Sequence, residues 1–129
     1  MSGHRILVVE DNPLNLKLVR DVLTAFGYEV VEAQSGEEGV ALAGTCSPDL
    51  VLMDLQLPGI DGYEALRLLR QDPGFGDVPV VAVTAFAMTT DRERTSREGF
   101  DGYLGKPISV RELPDQVRGF LSNGRTNGR

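Results

Sequence analysis

Leu50-Val51-Leu52-Met53-Asp54 constrains this chain more than any other stretch. Four apolar residues run directly into a carboxylate, and turn formers follow at once in Leu57-Pro58-Gly59-Ile60-Asp61-Gly62. A short unbroken apolar run bounded by turn residues predicts a strand buried on both faces. Its closing charge, Asp54, then sits at the carboxyl end of that strand. In open α/β sheets that edge is where ligands and chemistry are found.

The rest of the chain alternates in the same way. Ile6-Leu7-Val8-Val9 predicts a first buried strand, stopping at Glu10-Asp11-Asn12. Asn12 caps a helix whose first position suits Pro13, and Leu16, Val19, Leu23 and Phe26 form one apolar stripe ending at Gly27. Tyr28 to Ala33 reads as a second strand, and Glu29 and Glu32 mark it as an edge. Ser35-Gly36-Glu37-Glu38 has the spacing of a capping box, and the helix it opens is expected to end near Ala43.

Asp61-Gly62 opens a third helix, broken by Asp72-Pro73-Gly74. Val80 to Val83 is the fourth strand, closing at Thr84-Ala85. Residues 88–98 read as a helix with almost no apolar face, weakly held unless something packs on it. Asp101 to Gly105 is a short fifth strand ending at Lys106-Pro107. Ser109-Val110-Arg111-Glu112 is a second capping box, opening a last helix with Leu113, Val117, Phe120 and Leu121 on one face. Pro114, about one turn in, costs a hydrogen bond there, so that helix starts late or is kinked. Five strand–helix units predict a parallel sheet with helices on both faces. Residues 1–121 form one domain, and residues 122–129 read as a frayed tail.

Composition narrows the function. The chain has 129 residues, a formal charge of -6 and a pI near 4.7, which argues against a general nucleic-acid surface. A single cysteine, Cys46, excludes an internal disulfide and suits a reducing cytoplasm. No apolar run approaches the roughly 20 residues of a membrane span, and the N-terminus lacks the layout of a signal peptide. A cytoplasmic domain acting off the membrane is the expectation.

Polar residues close four of the five predicted strands at one edge: Glu10 and Asp11, Asp54, Thr84 and Lys106. Three carboxylates brought together repel and call for neutralisation. A hard divalent cation such as Mg²⁺ does this with oxygen ligands, and the Lys106 ammonium adds a point charge. The Thr84 hydroxyl can donate to a phosphoryl oxygen. With Asp54 as a carboxylate nucleophile, the set suits phosphoryl transfer, which needs positioning and charge neutralisation. The bland alternatives are helix caps for Asp11 and Asn12 and a structural role for Thr84; the joint placement favours a functional site.

These stretches, together with Tyr103-Leu104-Gly105-Lys106-Pro107-Ile108, resemble the receiver domain of two-component response regulators over about residues 5–121. The resemblance implies a flavodoxin-like doubly wound sheet of five parallel strands in the order 2-1-3-4-5, with five helices. It implies that Asp54 takes a phosphoryl group from a histidine of a sensor histidine kinase or histidine phosphotransfer protein, and that the chain catalyses its own phosphorylation and dephosphorylation. Glu10, Asp11, Asp54 and the backbone carbonyl of Gln56 are implied to hold Mg²⁺, and Thr84 and Lys106 to contact the phosphoryl group. Thr84 and Tyr103 are implied as the switch that remodels the face of the fourth helix, fifth strand and fifth helix for a downstream protein partner.

Gln56 and Phe86, two residues past Asp54 and Thr84, are implied to tune hydrolysis of the phosphoryl group, with bulky Phe86 hindering the attacking water. The Lys106–Pro107 bond is implied to be cis. Phe86-Ala87-Met88 is similar to the corresponding stretch of single-domain receivers and receivers of hybrid kinases. No output module follows the last helix, so output is expected through a protein partner or the chain is a piece of a longer protein. A haloacid-dehalogenase-like phosphohydrolase would want an aspartate where Gln56 stands. A flavin protein on this fold would want a Ser/Thr/Gly-rich loop where Glu10 and Asp11 stand. A pseudo-receiver scaffold is disfavoured by the complete residue set. The lone histidine, His4, precedes the first strand and is not expected to donate phosphoryl groups.

Overall fold

The computed structural model describes residues 3–85 and 89–124, with only the backbone described at 89–91. Five strands, β1 (Arg5–Val9), β2 (Glu29–Ala33), β3 (Leu50–Asp54), β4 (Val80–Thr84) and β5 (Gly102–Gly105), form one parallel sheet in the order β2-β1-β3-β4-β5. Five helices alternate with them: α1 (Pro13–Ala25), α2 (Gly36–Cys46), α3 (Gly62–Arg70), α4 (Thr89–Glu98) and α5 (Leu113–Asn123). β3 lies at the centre, buried along its whole length.

Side chains alternate across each strand, and the apolar runs therefore split into two cores. Ile6, Val8, Leu50, Leu52, Val81, Val83 and Leu104 face Leu16, Val19 and Leu23 of α1 and Leu113 and Val117 of α5. Leu7, Val9, Val51, Met53, Val80 and Ala82 face Ala43 of α2, Leu66 and Leu69 of α3, Phe75 and Phe100. Burial on both faces explains why these strands read as unbroken apolar runs.

The helix starts follow the capping residues. Asn12 Oδ1 accepts from the amides of Leu14 and Asn15 at 2.9 and 3.2 Å, with Pro13 leading α1. Ser35 Oγ accepts from Glu38 N at 3.1 Å, while Glu38 Oε1 reaches back one residue further than a standard box, to Gln34 N at 2.8 Å. Asp61 Oδ1 caps α3 through Glu64 N at 2.9 Å.

One helix runs on past its expected end, and another settles an open alternative. α2 runs through Gly44 to Cys46 and stops only where Ser47 adopts a left-handed conformation, φ 51°. A helix-interior glycine costs only about 1 kcal/mol, and the packing of Ala43 under the helix carries it on. Ser109 Oγ does accept from Glu112 N at 3.2 Å, but the turn it closes stays outside the helix. α5 begins at Leu113, which puts Pro114 in the first turn, where no helical N–H is needed. The helix starts late rather than kinking.

α4 is as polar as its sequence: of its described side chains only Thr95 is buried, its hydroxyl donating to the Arg92 carbonyl at 2.8 Å. The segment is anchored just beyond its end by Phe100, after Gly99 at φ 111°. Arg94 lies over the Tyr63 ring at 4.1 Å and Arg92 over Tyr103 at 5.2 Å. Such stacks supply part of what an apolar face would. No described helix is long and apolar enough to cross a membrane.

Candidate phosphoryl-acceptor site

Parallel pairing brings the carboxyl ends of β1, β3, β4 and β5 to one edge. β3 stands between β1 and β4, with Met53 opposite Val9 and Asp54 opposite Val83. Asp54 thus closes β3 next to Glu10, which follows β1. Thr84 pairs with Gly105, and its carbonyl accepts from Lys106 N at 2.8 Å. The last pair of this ladder delivers Lys106 to the edge.

The geometry is specific. Lys106 Nζ lies 2.9 Å from Asp54 Oδ2 and 3.0 Å from Glu10 Oε1. The second oxygens of both carboxylates are also bound: Asp54 Oδ1 accepts from Gln56 N at 2.9 Å and Glu10 Oε2 from Asn12 N at 3.1 Å. The side chains of Asp54 and Glu10 are only 3% and 6% exposed, that of Lys106 18%. Asp11, by contrast, is exposed, and one carboxylate oxygen from each of Glu10, Asp11 and Asp54 falls within 4.8 Å of the others. An all-oxygen set of this kind suits a hard divalent cation such as Mg²⁺, so the residues present fit the metal expected from the sequence.

Electrostatics follow from the crowding. Burial pushes the Glu10 carboxyl above the ordinary carboxylate range; Lys106 and the Asn12 amide oppose this, and the Asp54 charge adds to it. For Lys106, burial works to lower the pKa, but the bonds to Asp54 and Glu10 outweigh it and hold the ammonium above its usual value. Three carboxylates against one ammonium leave a net negative cleft.

A pH dependence follows. Metal ligands must be deprotonated, and a raised Glu10 pKa means that protons compete at a higher pH than at an ordinary carboxylate. Mg²⁺ affinity is expected to start falling at a higher pH than it would at an ordinary Glu carboxyl, whose pKa is about 4.3. Mg²⁺ titration across a pH series checks this; affinity that falls only where an ordinary carboxylate protonates would contradict it.

Of the other residues singled out in the sequence, Thr84 is buried at the end of β4 on the same edge. Tyr103 lies in β5 opposite Ala82, half-buried beneath Arg92. The Lys106–Pro107 bond is cis. Phe86, expected to tune hydrolysis, lies outside the described residues. The sequence reading missed Arg92, because nothing local in a polar helix says which arginine will meet a tyrosine from another element. It also missed the Asn12 amide as a partner of Glu10.

Comparison with known proteins places this geometry. The response regulator receiver domain family matches residues 6–118. The chain belongs to that family. The polar-differentiation response regulator DivK of Brucella ovis is 44% identical over 118 residues, covering 92% of this chain and 96% of that protein. The receiver domain of a sensor histidine kinase from Pseudomonas aeruginosa PAO1, solved with a magnesium ion coordinated in its active-site cleft, is 36% identical with a TM-score of 0.85, covering 94% of this chain and 99% of that one. A putative response regulator from Chloroflexus aurantiacus J-10-fl superposes with a TM-score of 0.87 at 33% identity, with coverage of 94% and 99%. The chain is thus a response regulator receiver domain, a phospho-acceptor of phosphorelay signalling.

Proposed function

We propose that Asp54 is the phospho-acceptor and that this receiver catalyses both the gain and the loss of its phosphoryl group. The observation that carries the reading is the placement of one ammonium, Lys106, within 3.0 Å of two buried carboxylates, Glu10 and Asp54, beside a third, Asp11. In the reaction a carboxylate oxygen of Asp54 bonds to the phosphorus of a phosphohistidine on a sensor histidine kinase or histidine phosphotransfer protein. The phosphorus–nitrogen bond breaks, and the histidine leaves with the electron pair. An acyl phosphate forms on Asp54, and water later cleaves it, restoring the carboxylate and releasing inorganic phosphate.

Glu10, Asp11, Asp54 and the Gln56 carbonyl would hold Mg²⁺, which when bound supplies charge neutralisation for the incoming phosphoryl oxygens. Lys106 balances the acids at rest and shifts its bond to a phosphoryl oxygen after transfer. Thr84 donates its hydroxyl to the same group, and Gln56 and Phe86 tune its hydrolysis. Movement of Thr84 and Tyr103 then remodels the face of α4, β5 and α5 for a downstream protein partner. α4 suits this role, because a helix with so few buried side chains shifts between arrangements at small cost.

Incubation with acetyl phosphate and Mg²⁺, read by intact mass, tests the reading. One added phosphoryl group is expected with Mg²⁺ and none in excess EDTA, with the label returning to zero after the donor is removed. Uptake that ignores EDTA, or a label that never decays, would count against the mechanism.

A further inference from the structure

The first turn of α2 carries two adjacent acids that do different work. Glu38 closes its own helix through the Gln34 amide. Glu37 turns away from the helix, and its Oε2 accepts from the amide of Ile60 at 3.3 Å, a residue 23 positions on, in the loop between β3 and α3. That loop follows Asp54 directly and contains Gln56. It is fastened at its start by the Gln56 amide on Asp54 Oδ1 at 2.9 Å and at its end by Gly62 N on the Leu55 carbonyl at 3.1 Å. Between these points Glu37 holds it from outside.

The two segments approach each other closely at two glycines. A Cβ on Gly59, which has φ +75°, would lie 2.6 Å from Glu37 Oε2. A Cβ on Gly36 would lie 2.7 Å from Ile60 Cγ1 and 3.0 Å from the Ile60 carbonyl oxygen. Glycine at both positions lets the start of α2 and the crown of the loop interlock, and the Glu37 carboxylate bridges the junction.

We infer that Glu37 is a positioning residue for the divalent-cation site: by holding the loop at Gly59 and Ile60 it fixes the Gln56 carbonyl relative to the carboxylates. The inference rests on the metal-site reading above. Glu37 is exposed and touches none of the proposed ligands directly, so its effect is transmitted through the loop. Losing one exposed hydrogen bond to the loop should weaken Mg²⁺ binding by about three- to tenfold.

Mg²⁺ titration followed by amide NMR, with hydrogen exchange of the Ile60 amide in the metal-free protein, tests it on Glu37→Ala and Glu37→Gln. Glu37→Ala is expected to weaken binding by the stated factor and to speed Ile60 exchange. Glu37→Gln keeps an oxygen acceptor and is expected to restore both to within about twofold. Unchanged affinity in Glu37→Ala overturns the inference. So does a Glu37→Gln as weak as Glu37→Ala, since the effect would then be charge acting at a distance. Glu10→Gln is the control for the underlying site: if it binds Mg²⁺ as well as the wild type, the metal-site reading itself falls, and the positioning role with it.

Discussion

Asp54→Asn is expected to fold normally and to take up no phosphoryl group from acetyl phosphate and Mg²⁺, its intact mass staying at the unmodified value. The substitution keeps the shape of the side chain, and an amide oxygen can still accept from Gln56 N, now 2.9 Å from Asp54 Oδ1. The charge is what disappears. The amide has no anionic oxygen to attack phosphorus, and one fewer carboxylate is left for a cation. Folding should not suffer, because Asp54 and Glu10 are like charges sharing one Lys106 ammonium, and removing one relieves repulsion.

The melting temperature of the metal-free variant is therefore expected to equal or exceed that of the wild type. The Glu10 pKa should fall, since the Asp54 charge is among the causes that raise it. Uptake persisting in Asp54→Asn would move the acceptor to another carboxylate of the cluster, Asp11 being the exposed one. A lower melting temperature would mean that Lys106 needs both partners.

The site was legible in the sequence because its information is carried by strand ends. A parallel sheet gathers every carboxyl end on one edge, so Glu10, Asp54, Thr84 and Lys106 could be placed together before any contact was known. What the strand pattern does not encode is contact between elements distant in sequence. Glu37 stood inside the capping-box stretch with no role of its own, and it reaches Ile60. Arg92 and Arg94 fell in a helix read as having almost no apolar face, and they lie over Tyr103 and Tyr63.

Helix boundaries were hardest to read where two local signals competed. At Ser109 the cap formed and the helix did not, because Pro114 is cheapest in a first turn. At Gly44 the expected break was overridden by the buried contacts of Ala43. Local chemistry set most starts and stops; packing overrode it at Gly44.

The opposite edge of the sheet gives the largest expected loss of stability. The Asp101 side chain is 1% exposed, and its Oδ2 accepts both from Arg70 Nη2 at 2.8 Å and from Val80 N at 2.9 Å. Arg70 in turn donates to the carbonyls of Val78 at 2.8 Å and Phe75 at 3.4 Å and stacks on the Phe75 ring at 5.7 Å. One carboxylate therefore ties the end of α3, the approach to β4 and the start of β5. Asp101→Ala strips the Val80 amide of this acceptor and the Arg70 guanidinium, itself only 18% exposed, of its counter-charge.

Breaking a buried pair by removing one partner costs about 3–5 kcal/mol, and the residual exposure of Arg70 argues for the lower figure. For a domain of this size that is a fall in melting temperature of roughly 10–15 °C. Phosphoryl uptake per folded molecule should be unchanged, because Asp101 acts at the amino ends of the strands and the phosphoryl chemistry sits at the carboxyl ends. A shift under about 2 °C would show the pair to be neutral to stability, and lost uptake in the folded variant would show the two edges to be coupled. The contrast is physical. At the Asp101 edge one carboxylate meets one guanidinium, and the paired charges hold the elements together. At the Asp54 edge three carboxylates meet one ammonium, and the uncompensated charge is what a cation and a phosphoryl group can act upon.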